Sequence, residues 1–328
     1  MRILITGAAG MIGARLAARL LAEGTLGGQR ISHLTLHDVI APTPPPSPIA
    51  VATVTGDLAC VGAAEALVSN RPDVVFHLAG IVSGQAEADF ALGYAVNLDG
   101  TRALWDAIRL AGHAPRVVYA STAAVFGGPF PDVVPDDFAP TPLSSYGAQK
   151  LVGEVILADY TRRGCMDGVG LRLPTICVRP GTPNRAASGF YSSIIREPLV
   201  GLPATLPVPL TWVHTHASPR AAVGFFIHAA TLDTVLIGPR RNLVMPGLSC
   251  SVADQIAALA RVAPAAPALI RQKEDPAVWA IVKTWPQRFT ASRARDLGFQ
   301  AETSFDDIIA VHVEDALGGQ LPTTAPSF

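Results

Sequence analysis

Arg2-Ile3-Leu4-Ile5-Thr6 runs directly into Gly7-Ala8-Ala9-Gly10-Met11-Ile12-Gly13, and this join between an apolar run and a glycine turn decides the reading of the whole chain. The residues before Gly7 have the continuous apolar character of a strand covered on both faces. Residues 14–22 carry apolar side chains at helical spacing. Glycines at 7, 10 and 13 between strand and helix allow a tight turn, close backbone approach to a pyrophosphate, and close packing of helix on strand.

The same alternation continues outward. Residues 33–38 read as a second strand ending in Asp38, followed by a proline-rich connection at 41–48 that cannot supply regular backbone hydrogen bonds. Strands are predicted at 51–54, 74–79, 116–120 and 169–174, with helices at 97–110 and from Tyr146 through Tyr160. Apolar strands alternating with helices predict an α/β fold: a Rossmann-type doubly wound parallel sheet with a smaller carboxy-terminal α/β substrate lobe. The expected division is a dinucleotide-binding domain over 1–176, completed by about 218–245, and a smaller substrate-binding domain over 177–217 and 246–328. Later helices are expected at 218–230, 251–262, 276–284 and 305–313, and a strand at 242–245.

The chain has 328 residues, 49% of them hydrophobic and only 16% charged, with a formal net charge of -1. No dense basic run is present, so no nucleic-acid partner is expected. No apolar stretch reaches the 18 residues of a membrane span, so no membrane partner is expected either. The strand beginning at Arg2 leaves no room for a signal peptide, and a cytoplasmic location follows as the expectation. Cys60, Cys165, Cys177 and Cys250 lack metal-ligand spacing, and no metal site is expected. His214 and His216 alternate in Trp212-Val213-His214-Thr215-His216 but lack an evident third ligand, and are read as pocket or surface residues, with Trp212 over the substrate or in a core.

The turn residues Gly7, Gly10, Met11, Ile12 and Gly13 are the predicted pyrophosphate cradle. Asp38, ending the second strand, can accept from both hydroxyls of an adenosine ribose and would repel a ribose phosphate, so NAD is expected rather than NADP. Asp57 and Leu58 are placed at the adenine, and Leu78, Ala79 and Gly80 at the wall of the cofactor cleft. Further along, Ser144-Ser145-Tyr146-Gly147-Ala148-Gln149-Lys150 sets Tyr146 and Lys150 four residues apart, on one helical face. An ammonium near a phenol eases loss of its proton; reaching a phenolate near neutrality takes a shift of roughly 3 units from a pKa of about 10.

Together the glycine turn, Asp57-Leu58, Ser121-Thr122 and Tyr146-Gly147-Ala148-Gln149-Lys150 resemble the extended short-chain dehydrogenase/reductase family over essentially the whole length. Ile81-Val82-Ser83-Gly84, Glu87-Ala88-Asp89-Phe90, the run from Leu171 to Gly181, Ile195-Arg196-Glu197-Pro198-Leu199 and Ser218-Pro219-Arg220 make it similar to the D-erythronate dehydrogenase group. The resemblance implies Tyr146 as proton acceptor, with Thr122 holding the substrate oxygen; Ser121 could instead meet the substrate. It gives Lys150 two tasks, lowering the Tyr146 pKa and binding the nicotinamide ribose. Asn97 would support a water relay toward Lys150, or simply cap a helix. Pro174 and Thr175 join the cofactor wall. Ser83, Ser121, Asn184, Arg179, Arg185 and Arg196 are the candidates for the substrate's hydroxyls and carboxylate. The implied reaction is NAD-dependent oxidation of a small four-carbon sugar acid at C2 by a homodimer. The alternatives are a nucleotide-sugar epimerase or dehydratase that retains NAD, and a non-catalytic NAD sensor.

Overall fold

The computed structural model describes residues 1–181 and 186–321. Seven strands form one sheet, all parallel: β1 (Arg2–Thr6), β2 (His33–Asp38), β3 (Ala50–Thr55), β4 (Val74–His77), β5 (Arg116–Thr122), β6 (Asp167–Leu173) and β7 (Asn242–Val244), in the spatial order β7-β6-β5-β4-β1-β2-β3. The chain winds outward from β1 in one direction and then returns past β4 in the other. That reversal opens a crevice at the carboxyl ends of β1 and β4, where such sheets bind ligands.

The alternation of side chains along β1 explains why both faces are covered. Ile3 and Ile5 enter an apolar layer with Leu16 and Leu20 of α1 (Met11–Glu23) and with Phe225 and Phe226. Leu4 points to the other face, into a layer with Leu104, Trp105 and Leu157. The first layer is closed by the Pro219–Thr231 helix; the second by α2 (Gly100–Ala111) and α3 (Ser145–Arg162). Each large apolar side chain fully removed from water in these layers contributes about 1.5–3 kcal/mol.

The expected helix at 97–110 is interrupted. Phe90–Tyr94 passes into a wider, π-type turn over Ala95–Asp99 before α2 begins. The extra residue in that turn re-aims Asn97 away from the helix end, so it does not cap α2.

Beyond the sheet, Thr175–Ile176, Val213–Ala217 and Leu248–Ser251 form a three-stranded sheet with Val213–Ala217 in the middle. Ala204–Leu206 pairs in parallel with Ile270–Gln272. A separate apolar cluster, including Tyr191, Ile194, Ile195, Leu259, Trp285 and Ile308, holds this part together. Trp212 packs edge-on against Trp279 at 4.9 Å between ring centres, inside that cluster rather than over a ligand. Among the described residues no helix is long and apolar enough to cross a membrane.

Candidate active site

At the carboxyl ends of β1, β4, β5 and β6 lies a crevice of about 480 Å³. Its floor is the glycine turn: Gly7 has φ +74°, and a Cβ there would come within 2.6 Å of the Leu78–Ala79 backbone. A Cβ at Gly13 would run into the Gly7 carbonyl. Only glycine lets strand, turn and helix meet this closely. Gly10, at the cap position of α1, offers no side-chain hydrogen bond, and the first turn of α1 has no acid. The amides and positive dipole end of α1 are left for an anionic group, and the cradle fits the pyrophosphate of a dinucleotide.

Asp38 stands at the rim of this turn, its carboxylate accepting from the Ala9 amide (2.9 Å) and the Ile40 amide (3.3 Å). Asp57 accepts from the Ala59 amide at 2.9 Å. Leu58 is buried in the apolar layer beside Leu104 and Trp105.

The reactive end of the crevice collects Ser83, Ser121, Thr122, Tyr146, Lys150, Pro174, Thr175, Arg179 and Arg196. Ser144 caps α3 by accepting from the Gly147 amide at 3.1 Å, which fixes the start of the helix one residue before Tyr146's own turn. Gly147 packs so closely on the Ala124 carbonyl that no Cβ fits, and this draws Tyr146 toward Thr122 at the end of β5. Desolvation by the surrounding walls raises the Tyr146 pKa above its ordinary value, and the charge of Arg179 and the Thr122 hydroxyl oppose that rise without cancelling it. Lys150 stands one helical turn from Tyr146 on α3. Its ammonium lies 6.0 Å from the Tyr146 ring centre and burial lowers its own pKa to about 8.

Asn97 sits behind Lys150 rather than in the crevice lining. Its Oδ1 accepts from the Ile81 amide (2.9 Å), and its Nδ2 donates to the Ile81 carbonyl (3.2 Å) and to Gln149 Oε1 (2.8 Å). The side chain thereby ties the π-type turn both to the segment after β4 and to α3. Gly80 completes the fit, because a Cβ there would lie 2.8 Å from Asn97 Oδ1 and 3.2 Å from Lys150 Nζ.

Ser121 donates its hydroxyl proton to Glu154 (2.5 Å), which is held bidentately by Arg172. All three are buried. Ser121 therefore keeps only acceptor capacity toward a ligand. Arg196 is engaged by the neighbouring Glu197 (2.5 Å) and donates to the Arg179 carbonyl (2.6 Å), so it braces the segment carrying Arg179. Arg179 donates to the Ile176 carbonyl (3.0 Å) and to Ser188 (2.8 Å) while lining the crevice. Asn184 and Arg185 lie outside the described residues.

Two features were not anticipated from the sequence. The Glu154–Arg172 pair continues the Tyr146, Lys150 spacing by one more turn, so the four-residue step was the available signal. Trp285, Pro286 and Phe289 close the far side of the crevice, and nothing in their local sequence marks them. His214 also lines the crevice and bonds Thr175 at 2.7 Å, with its pKa pushed down to about 3 by burial. His216 is neither pocket nor surface: it is fully buried and meets Gln255 at 2.8 Å.

Comparison with known proteins agrees with this geometry. Residues 3–213 match the family described as NAD dependent epimerase/dehydratase. The chain is 49% identical over 321 residues to D-erythronate dehydrogenase of Cupriavidus necator, covering 96% of this chain and 99% of that one. It is 38% identical to the enzyme of the same name from Haemophilus influenzae, covering 96% and 99%. A solved structure described as a nucleoside-diphosphate-sugar epimerase from Agrobacterium tumefaciens is 55% identical, with a TM-score of 0.94 over 98% of this chain and 96% of that one. A glycine cradle fit for a dinucleotide, set in a chain so matched from end to end, means that this protein belongs to the NAD dependent epimerase/dehydratase family and is an NAD-using enzyme.

Proposed function

We propose that the protein oxidises the C2 hydroxyl of D-erythronate to 2-oxo-D-erythronate with NAD. The observation that carries this reading is the meeting of Thr122, Tyr146, Lys150 and Arg179 in one crevice of a chain 49% identical to a D-erythronate dehydrogenase along its length. In this reading the glycine turn holds the pyrophosphate, Asp38 the adenosine ribose, and Lys150 the nicotinamide ribose. Asp57 holds the adenine, and the backbone from Leu78 to Gly80 with Pro174 and Thr175 forms the wall at the nicotinamide. NAD, when bound, supplies the hydride acceptor.

Tyr146 takes the hydroxyl proton as the substrate is oxidised. Thr122 holds the substrate oxygen so that the transfer occurs within hydrogen-bond reach. Arg179 serves two ends at once: it anchors the substrate carboxylate, and its charge favours the phenolate. Ser83, in the crevice wall, meets a substrate hydroxyl.

The name of the Agrobacterium tumefaciens structure favours a second reading, epimerisation of a nucleotide sugar with NAD retained. Incubation of the pure protein with each tetronate stereoisomer and NAD, followed at the absorbance of reduced NAD with the acid identified by mass, separates the two. Reduced NAD and a 2-oxo acid from D-erythronate support the first. Bound NAD, no net reduction with any tetronate, and turnover of a nucleotide sugar would reject it.

The proposal includes a homodimer through α2 and α3. Val152 and Val155 of α3 are exposed, Val155 at 61%, beside a shallow hollow lined by Leu98, Arg102, Ile156 and Tyr160. Light scattering on the wild type and on Val155→Glu tests it; a monomeric wild type would refute it.

A further inference from the structure

We propose that Tyr119 is a positioning residue for Lys150, and that the face of its ring, not its phenol, seats the ammonium at the reactive end of the crevice. This rests on the reading that Lys150 serves the chemistry.

Lys150 is only 3% exposed, yet among the described residues no hydrogen bond or ion pair reaches its Nζ. Its close partners are rings: Nζ lies 5.0 Å from the centre of Tyr119 and 6.0 Å from that of Tyr146. The ammonium opens onto the crevice but is largely withdrawn from water without a carboxylate, and in that setting it gains from the negative face of an aromatic ring, the more so as water is excluded.

The Tyr119 ring is fixed in place. It is fully buried on β5, stacked on His77 at 5.6 Å and 14°, and edge-on to Trp105 at 5.7 Å. His77 is itself locked. The Thr101 hydroxyl has one proton and gives it to the Asn97 carbonyl (2.7 Å), so it must accept from His77 Nε2 (2.9 Å). His77 Nδ1, in a neutral ring, then accepts from Thr6 (2.6 Å). Burial and the nearby Lys150 both lower the His77 pKa, which agrees with a neutral ring.

The phenol of Tyr119 does none of this. It is buried with no hydrogen bond in bonding geometry, pressed against the place a Cβ would occupy at Gly153 (2.5 Å). Thr101, in its neighbourhood, is already committed to Asn97 and His77.

The other groups around Lys150 supply no competing anchor. From β4 comes neutral His77, and from the π-type turn comes Asn97, whose amide is committed to Ile81 and Gln149. On α3 itself stand Tyr146 and, one turn on, Glu154, which is held by Arg172 of β6 and Ser121 of β5. Across the crevice, the charge of Arg179 acts on Tyr146.

The sequence has three lysines, at 150, 273 and 283, and the last two are exposed. The Lys150 titration is therefore readable by NMR on the cofactor-free protein labelled with 13C-lysine. Tyr119→Phe keeps the ring face and should hold the wild-type Lys150 pKa within a few tenths of a unit. Tyr119→Leu removes the face and should lower it by roughly one unit, with kcat on D-erythronate near pH 7 falling about twofold as the charged fraction of Lys150 halves. Tyr119→Met, closer in length, gives the same test if the leucine variant does not fold. A folded Leu or Met variant with the wild-type Lys150 pKa would overturn the proposal, as would a Phe variant that shifts as far as Leu. The titration needs neither cofactor nor substrate, so a wild type inert toward D-erythronate would reject the reaction without obscuring this result.

Discussion

Gly80→Ala probes the site with a single methyl group. No positive φ is involved, so the backbone accepts alanine, and the whole effect comes from contact. The new Cβ would lie 2.8 Å from Asn97 Oδ1 and 3.2 Å from Lys150 Nζ. Regaining ordinary van der Waals distance moves the asparagine oxygen by about 0.6 Å and the ammonium by a few tenths of an ångström. The oxygen accepts from the Ile81 amide at 2.9 Å, so that bond stretches beyond useful length, at a cost of about 1 kcal/mol. A misplacement of 1 Å costs on the order of a hundredfold in rate; half of that predicts a loss of about tenfold in kcat/KM. Steady-state kinetics with D-erythronate and NAD, beside thermal unfolding, measure both. Gly224→Ala is the control, since a Cβ there meets nothing within 4 Å. A Gly80→Ala enzyme within twofold of wild-type kcat/KM would refute the idea that Asn97 and Lys150 are held to sub-ångström tolerance.

Tyr146→Phe should retain NAD affinity and lose about 10²–10⁴-fold in kcat, the range for a positioned proton acceptor, as read by calorimetry and turnover. Asp38→Ala should weaken NAD binding about 10- to 100-fold and erase the preference over NADP, since it removes charged acceptors of the ribose hydroxyls; binding isotherms for both nucleotides check this. Lys150→Met should abolish turnover yet stabilise the fold. The folded Lys150 pKa of about 8 lies below its unfolded value of 10.5. The unfolded chain therefore holds the proton more tightly, and the group costs stability below pH 8, by about 3 kcal/mol, a cost relieved as pH rises toward 10.5. Denaturant curves should show wild type gaining on the variant between pH 8 and 10, and equal slopes would exclude the linkage.

What was legible in the sequence was whatever local spacing encodes. The run from Arg2 to Gly13 specifies strand, turn and helix within twelve residues, and the turn is built as its glycines require. Tyr146 and Lys150 share a face because a helix puts them there. What spacing does not encode is which side chains arrive from elsewhere. Arg179 comes to line the same crevice as Tyr146 only because the chain leaves β6 and passes back over it. Trp285 and Phe289 close the far wall from more than a hundred residues away. Periodicity places Asn97 on a regular helix because it cannot reveal a single wide turn. Asp57 stands at a strand end where spacing can place it, whereas the packing of its neighbour Leu58 beside Trp105 depends on a helix that arrives about fifty residues later.

In the proposed reaction the hydrogen on C2 of a four-carbon acid leaves the substrate for NAD. D-erythronate carrying deuterium at C2, incubated with the enzyme and NAD, tests it in one measurement by mass spectrometry of both products. Reduced NAD should carry the deuterium in equal amount to a 2-oxo acid that has lost it. Deuterium retained in the acid, or oxidation at another carbon, would contradict it.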